Sequence, residues 1–109
     1  MATTTAAPTI TWAGLSGASY VYGIYPIGTD FSPGPGNYIF ARQSPEGWHA
    51  VYAGETADLS ERFSNHHKMP CIKLRGATHI HVHGSSTNAQ SRRNEESDVI
   101  ARWKPFCNG

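Results

Sequence analysis

The sequence has few of the features that mark membrane, disordered or disulfide-built proteins. Its longest apolar stretches are only a few residues, far short of the roughly 20 that a membrane-crossing helix needs, so no membrane span is expected. Charge of one sign is lacking too: nine Lys and Arg against eight Asp and Glu leave +1, which excludes both a polybasic tail and an acidic one. With 39% hydrophobic residues, that near-neutrality also argues against intrinsic disorder. Cysteine is scarce, and Cys71 and Cys107 allow one disulfide at most. Residues Met1 to Ala7 lack the basic end and apolar block of a secretory signal, so two free buried thiols in a cytoplasmic protein are expected. No C-x-x-C pair and no H-E-x-x-H run is present, so a structural zinc site lacks its usual spacing. The 109 residues have room for one domain.

The charges that are present are unevenly placed. Residues 1–61 hold one basic residue, Arg42, against Asp30, Glu46, Glu55, Asp58 and Glu61. Residues 62–109 hold Arg62, Lys68, Lys73, Arg75, Arg92, Arg93, Arg102 and Lys104 against Glu95, Glu96 and Asp98, together with five of the six histidines. The split reads either as a polyanion-binding face or as two halves whose charges intermix on folding.

Residues 1–9 read as a flexible terminus and residues 10–35 as a β-hairpin extension closed by the breaker run from Ser32 to Gly36. Strands are expected over 37–42 and 48–54, joined across Ser44-Pro45-Glu46-Gly47. A helix opens at Thr56 or Asp58, turns Leu59 and Phe63 inward and ends near Lys68, because Pro70 follows. Residues 70–76 read as a loop. Residues 77–83 alternate strictly, with Ile80 and Val82 on one face and His79, His81 and His83 on the other. The three histidines read as a half-exposed sheet face, with a phosphate-facing role or a shared metal as alternatives. A last helix runs from about Ala89 to Trp103, capped from within Ser85–Asn88 and stopped by Pro105. At 100° per residue, Ala89, Glu96, Ile100 and Trp103 share one side of it. Glu96 is therefore expected to point inward and Glu95 away, and an inward carboxylate is costly unless it is paired or holds a cation.

Several of these residues fall in one ordered set. Gly36-Asn37-Tyr38 opens the hairpin of residues 37–54, and Tyr52-Ala53-Gly54 closes it. Glu55 to Glu61 lead to Arg62, with His66 one turn later. Glu96 is then followed by Ile100, Pro105 and Asn108. Over residues 36–108 this set resembles the GIY-YIG nuclease domain. The literal triplet Gly23-Ile24-Tyr25 lies too far ahead of Tyr52 to be the family's first triplet, and Asn37 departs from the usual Ile or Val.

The resemblance implies an α+β fold: a small central antiparallel three-stranded sheet flanked by helices, with the N-terminal hairpin added outside it. It also implies a metal-dependent endonuclease that hydrolyses phosphodiester bonds in DNA, with single-stranded or structured DNA favoured and duplex left open. Glu96 would bind Mg²⁺ or Mn²⁺, Arg62 would hold the scissile phosphate, and Tyr38 or Tyr52 would orient or deprotonate the attacking water. His66 would donate to phosphate or shuttle a proton. Lys68, Lys73, Arg75, Arg92 and Arg93 are candidate contacts to the nucleic-acid backbone, and Asn108 is expected to pin the chain end. The alternatives are a catalytically inactive nucleic-acid-binding module of the same fold and a His-rich metal-binding domain.

Overall fold

Short runs of β-branched and aromatic residues, separated by Gly and Pro turns, dominate the first half of the chain, and they form strands. The computed structural model describes residues 7–61, 63–85 and 87–109. Five strands, β1 (Thr9–Ala13), β2 (Ser19–Pro26), β3 (Gly36–Ser44), β4 (Gly47–Thr56) and β5 (His79–Gly84), join in one antiparallel sheet of order β1-β2-β5-β3-β4. The sheet curls as a half-barrel. Two α-helices accompany it among the described residues: α1 (Met69–Leu74) and α2 (Ala89–Trp103), with 3₁₀ turns at Phe63–Asn65 and Phe106–Asn108.

Alternation along β3 divides the core in two. Tyr38 and Phe40 pack with Val51, Ile80 and the α1 residues Met69 and Ile72 on one face. Ile39 and Ala41 pack with Trp12, Tyr22, Ala53 and Val99 of α2 on the other. The hairpin β3–β4 forms as expected, turning between Ser44 and Gly47. The last helix also forms as expected, with the Asn88 side chain accepting hydrogen bonds from the backbone N–H groups of Gln90 and Ser91.

The three-stranded sheet flanked by helices, with a separate N-terminal hairpin, is not what the chain builds. Once β5 has paired with β3, its other edge still presents unpaired backbone groups. β2 fills that edge, with Gly23 opposite Val82 and Tyr25 opposite Ile80. The N-terminal hairpin is thereby two strands of the same sheet, and Trp12 and Tyr22 are core residues, 3% and 1% exposed.

The helix expected from Thr56 to Lys68 is also absent among the described residues. β4 continues through Thr56, whose hydroxyl accepts from the Asp58 N–H, while the Asp58 carboxylate accepts from the N–H and hydroxyl of Ser60. These caps close turns instead of starting a helix. The helix instead lies where a loop was expected. Pro70 sits in the first turn of α1, where a missing N–H has no intrahelical partner to lose. Proline here begins a helix rather than ending one.

Two further expectations are corrected. Cys71 and Cys107 are not free thiols: they form a disulfide joining α1 to the C-terminal 3₁₀ turn, with Cα atoms 5.9 Å apart. The buried side of α2 is Arg92, Glu95 and Val99, so Glu95 points inward and Glu96 is only half-buried. Apolar periodicity misplaced the helix face because polar groups of the sheet seat it. The half-exposed histidine face holds for His79 and His83 but not for His81, which is fully buried.

Two stability experiments follow. The disulfide closes a segment spanning 36 residues, and loop-closure entropy assigns such a link about 3–4 kcal/mol. Reduction, or Cys107→Ser, is expected to lower stability by that order in a urea titration monitored with and without reductant. The second concerns His81, whose Nδ1 accepts from the Trp12 indole N–H at 2.9 Å; burial pushes its pKa down to about 4. The folded state thus binds this proton less readily than the unfolded chain, so the stability contributed is full above the ordinary histidine value and is lost as pH falls from about 6.5 toward about 4. The wild type is expected to lose up to about 3 kcal/mol more than His81→Gln over that window, read as parallel denaturant titrations at each pH.

Candidate active site

Tyr38 stands on the interior strand β3, between β5 and β4, and Tyr52 on β4, with ring centroids 6.3 Å apart. The pleat sends both side chains to the face covered by the turns after β4. There the 3₁₀ turn Phe63–Asn65 ends at His66, whose Nε2 lies 2.8 Å from the Tyr38 hydroxyl and whose ring centroid is 4.9 Å from that of Tyr52. A cleft of about 450 Å³ opens over these groups, lined also by Glu55, Thr56, Glu61, Phe63 and His67.

Gly54 makes this approach possible. It lies opposite Tyr38 in the β3–β4 register, and a Cβ there would stand 2.5 Å from the Tyr38 hydroxyl oxygen. A side chain at 54 would push the phenol off His66.

The hydrogen bonds also assign the tautomer of His66. Its Nδ1 accepts from the Lys68 backbone N–H at 3.0 Å, so a neutral ring carries its proton on Nε2. Burial, followed by the neighbouring charges of His67 and Lys68, lowers the His66 pKa and favours that neutral ring. Nε2–H therefore donates to Tyr38, whose own hydroxyl proton is left to point elsewhere, toward the cleft. Tyr38 itself is pushed well above the ordinary phenol range, by burial first and then by the negative potential of Tyr52, Glu96, Glu55 and Glu61. Tyr52 is raised by burial and by Glu96.

Glu96 approaches from α2 at the outer edge of β4. Burial and the adjacent Glu55 charge raise its pKa, while a backbone hydrogen bond from Glu55 and the charge of Arg93 oppose the rise. Glu55 is balanced by Arg92, whose Nε donates to it at 2.9 Å. Two carboxylates beside two phenols in partial burial form a site that a cation would relieve. Mg²⁺ and Mn²⁺ ordinarily take one or two carboxylates and complete their shell with water and substrate phosphate. The Glu96 carboxylate fits that demand, although no group of three or more His, Cys, Asp or Glu converges among the described residues.

The structure thus brings together Tyr38, Tyr52 and His66, while Glu96 of α2 acts on the two tyrosines through its charge. Arg62 lies outside the described residues. Among the expected backbone contacts, Lys68 lies two residues after His66, its backbone N–H bonded to the His66 ring, and Arg93 is exposed on α2 near Glu96. Arg92 is 5% exposed, with Nη1 also donating to the Thr87 carbonyl, so it serves the interior. Arg75 stacks over Phe106 and Lys73 lines a different hollow, so neither borders the cleft. Asn108 pins the chain end: its amide donates to the Ala53 carbonyl and accepts from the Ala53 N–H on the outer edge of β4.

Sequence reasoning missed Glu55 and Glu61 as lining groups; the signal for Glu55 was its place directly after the second triplet, and for Glu61 its place directly before Arg62. It also missed a cluster behind α2, where Tyr22 donates to Glu95 at 2.7 Å and His83 Nδ1 lies 2.9 Å from the same carboxylate. Comparison with protein-family models, curated proteins and solved structures finds no match. No helix among the described residues is long and apolar enough to cross a membrane.

The Gly54 contact yields a direct test. Gly54→Ala is expected to retain the fold by circular dichroism yet move the Tyr38–His66 pair apart. The readout is the His66 imidazole resonances in NMR, whose pH titration should shift toward that of an exposed histidine.

Proposed function

We propose that this protein is a metal-dependent DNA endonuclease that cuts phosphodiester bonds with a tyrosine–histidine–glutamate site of the GIY-YIG kind. One observation carries the reading: the Tyr38 hydroxyl meets the His66 imidazole, beside the Tyr52 ring, at an open cleft that Glu55 and Glu61 also line. A purely structural tyrosine would not need its hydroxyl acceptor side occupied and its proton free.

Glu96 would hold the divalent cation, which when bound supplies positive charge to the oxygen leaving phosphorus. The chain's own residues do the rest. Tyr38, with its oxygen occupied by His66, aligns the attacking water through its free proton or, after losing it, takes the water's proton. The Nε2–H of His66 is in place to stabilise the phenolate that results. Tyr38 cannot ionise at neutral pH against the surrounding carboxylates, so charge compensation must come with the substrate complex. Arg62 is proposed as the phosphate clamp, with Lys68 and Arg93 as flanking cations. The cytoplasmic expectation carried free thiols as its consequence, and the disulfide runs against that consequence.

The test is cleavage of end-labelled single-stranded and duplex DNA with Mg²⁺, Mn²⁺ or EDTA. Glu96→Gln, Tyr38→Phe and His66→Ala are each expected to lower kcat by about 100-fold or more, the scale of a lost acid–base or electrostatic group. Activity untouched by EDTA and by Glu96→Gln would overturn the reading, whereas tight binding with no cleavage under either ion would favour an inactive binding module. The rate should hold through neutral pH and fall on the acid side. There protonated His66 would turn an Nδ1–H against the Lys68 N–H, and Glu96, titrating above the usual carboxylate range, would lose its charge.

A further inference from the structure

Beside the cleft lies a second hollow of about 410 Å³. Its floor is apolar, formed by Phe40 and Ile80, which are 0% and 2% exposed. Phe31 and Phe63 wall it at right angles, with centroids 6.2 Å apart. Lys73 supplies a hydrogen-bond donor to its lining, and Asp30 and Glu61 supply acceptors. The two cavities are neighbours: Glu61 and Phe63 border both, and the Phe63 ring packs 4.8 Å from that of Tyr38.

Resting on the nuclease reading, we infer that this hollow receives one unstacked nucleobase of the strand being cut. The occupant must be flat, largely apolar on its faces and edged with hydrogen-bonding groups, because the walls are aromatic and only the rim is polar. It must also be joined to whatever sits at Tyr38, because a single ring separates the two cavities. A nucleobase attached to the scissile phosphate's own nucleotide meets each condition. The volume is ample for one heterocycle and falls at the small end of ordinary ligand pockets. Stacking on an aromatic side chain is available to every base, so the site would read strandedness rather than sequence. A base in an intact duplex must first be unstacked and unpaired, at a cost that single-stranded or locally unpaired DNA avoids. The substrate class is accordingly DNA with an unpaired nucleotide at the cut.

The experiment walks one abasic residue along a labelled single-stranded oligonucleotide cleaved by the full chain with Mn²⁺, and repeats the series with Phe31→Leu and Phe31→Tyr. Abasic substitution at one position beside the cut should lower kcat/KM about tenfold, the scale of one base–aromatic stack. Phe31→Leu should lose a similar factor on the intact strand and nothing more on that abasic strand, because each change removes the same contact. Phe31→Tyr, which keeps the ring, should cleave as the wild type does. Equal tolerance of abasic residues at every position, independent multiplication of the two losses, or equal rates on single strand and perfect duplex would each overturn the assignment. Should Phe31→Leu fail to melt cooperatively, the abasic walk on the wild type decides alone. Absence of cleavage on every DNA would instead count against the nuclease reading. In that event a 2-aminopurine oligonucleotide separates the two: fluorescence quenching by the wild type, lost in Phe31→Leu, supports the base pocket, and no quenching overturns it.

Discussion

The ion pair between Arg92 and Glu55 is the contact on which the arrangement of the cleft depends. It joins α2 to β4 at 2.9 Å with the guanidinium almost fully buried, and it sets the rotation of the helix. With Arg92 inward, Glu95 follows one turn later under Tyr22 and His83, and Val99 one turn beyond that enters the apolar core. Glu96 is then directed to the flank, where the Glu55 backbone meets its carboxylate. Breaking a buried pair by deleting one partner typically costs about 3–5 kcal/mol; here the loss would fall on orientation as well as stability. The backbone of Arg92 is held too, since the Asn37 amide donates to its carbonyl. That bond gives Asn37 a task that Ile or Val could not perform, and so accounts for polarity in the middle of an otherwise apolar triplet.

The outer edge of β4 links the structural and the functional parts. An edge strand exposes unpaired backbone groups and invites pairing with other chains. Here the Asn108 amide occupies both groups of Ala53. A side chain thus stands in for part of a sixth strand. The disulfide reinforces the closure: Cys107, beside Asn108, is tied to Cys71 of α1, and α1 covers the face on which Tyr38 lies. Local features separated by dozens of residues in sequence therefore converge on the same two strands.

What was legible in the sequence follows from how local each signal is. The β3–β4 hairpin and α2 with its Asn88 cap depend on neighbours within a few residues, and both were read correctly. The pairing of β2 with β5 depends on two segments that alternation describes separately but cannot join, so the sheet was undercounted. Pro70 gave an ambiguous signal, because proline both ends one helix and begins another. The inner face of α2 misled most. Apolar periodicity assumes that burial selects apolar side chains, yet this helix is seated by Arg92, Glu95 and Asp98 on polar partners from β1 to β4, including Tyr20 and Ser16. For the site, Tyr38, Tyr52 and His66, nominated from their order along the chain, meet through ring contacts in the fold, whereas Glu96 acts on the tyrosines through its charge. The second-row groups Glu55 and Gly54 become visible only once strand register sets them opposite Asn37 and Tyr38.

The same geometry limits how such a cleft could meet a polyanion. Among the described residues, much of the basic excess of residues 62–109 is engaged elsewhere: Arg92 pairs with Glu55, Arg75 stacks on Phe106 and Arg102 on Trp103. His66 is favoured neutral, and Glu55, Glu61 and Glu96 face or adjoin the cleft. Burial first, and the charge of Glu96 after it, hold both tyrosines above the ordinary phenol range. On the proposed reading, a phosphate could enter only with positive charge beside Glu96. That charge would lower the Tyr38 pKa in the same step by offsetting the part of the rise that Glu96, Glu55 and Glu61 add to burial. Substrate binding and activation of the phenol would then be one electrostatic event, and the acidic lining would keep Tyr38 protonated until it occurs.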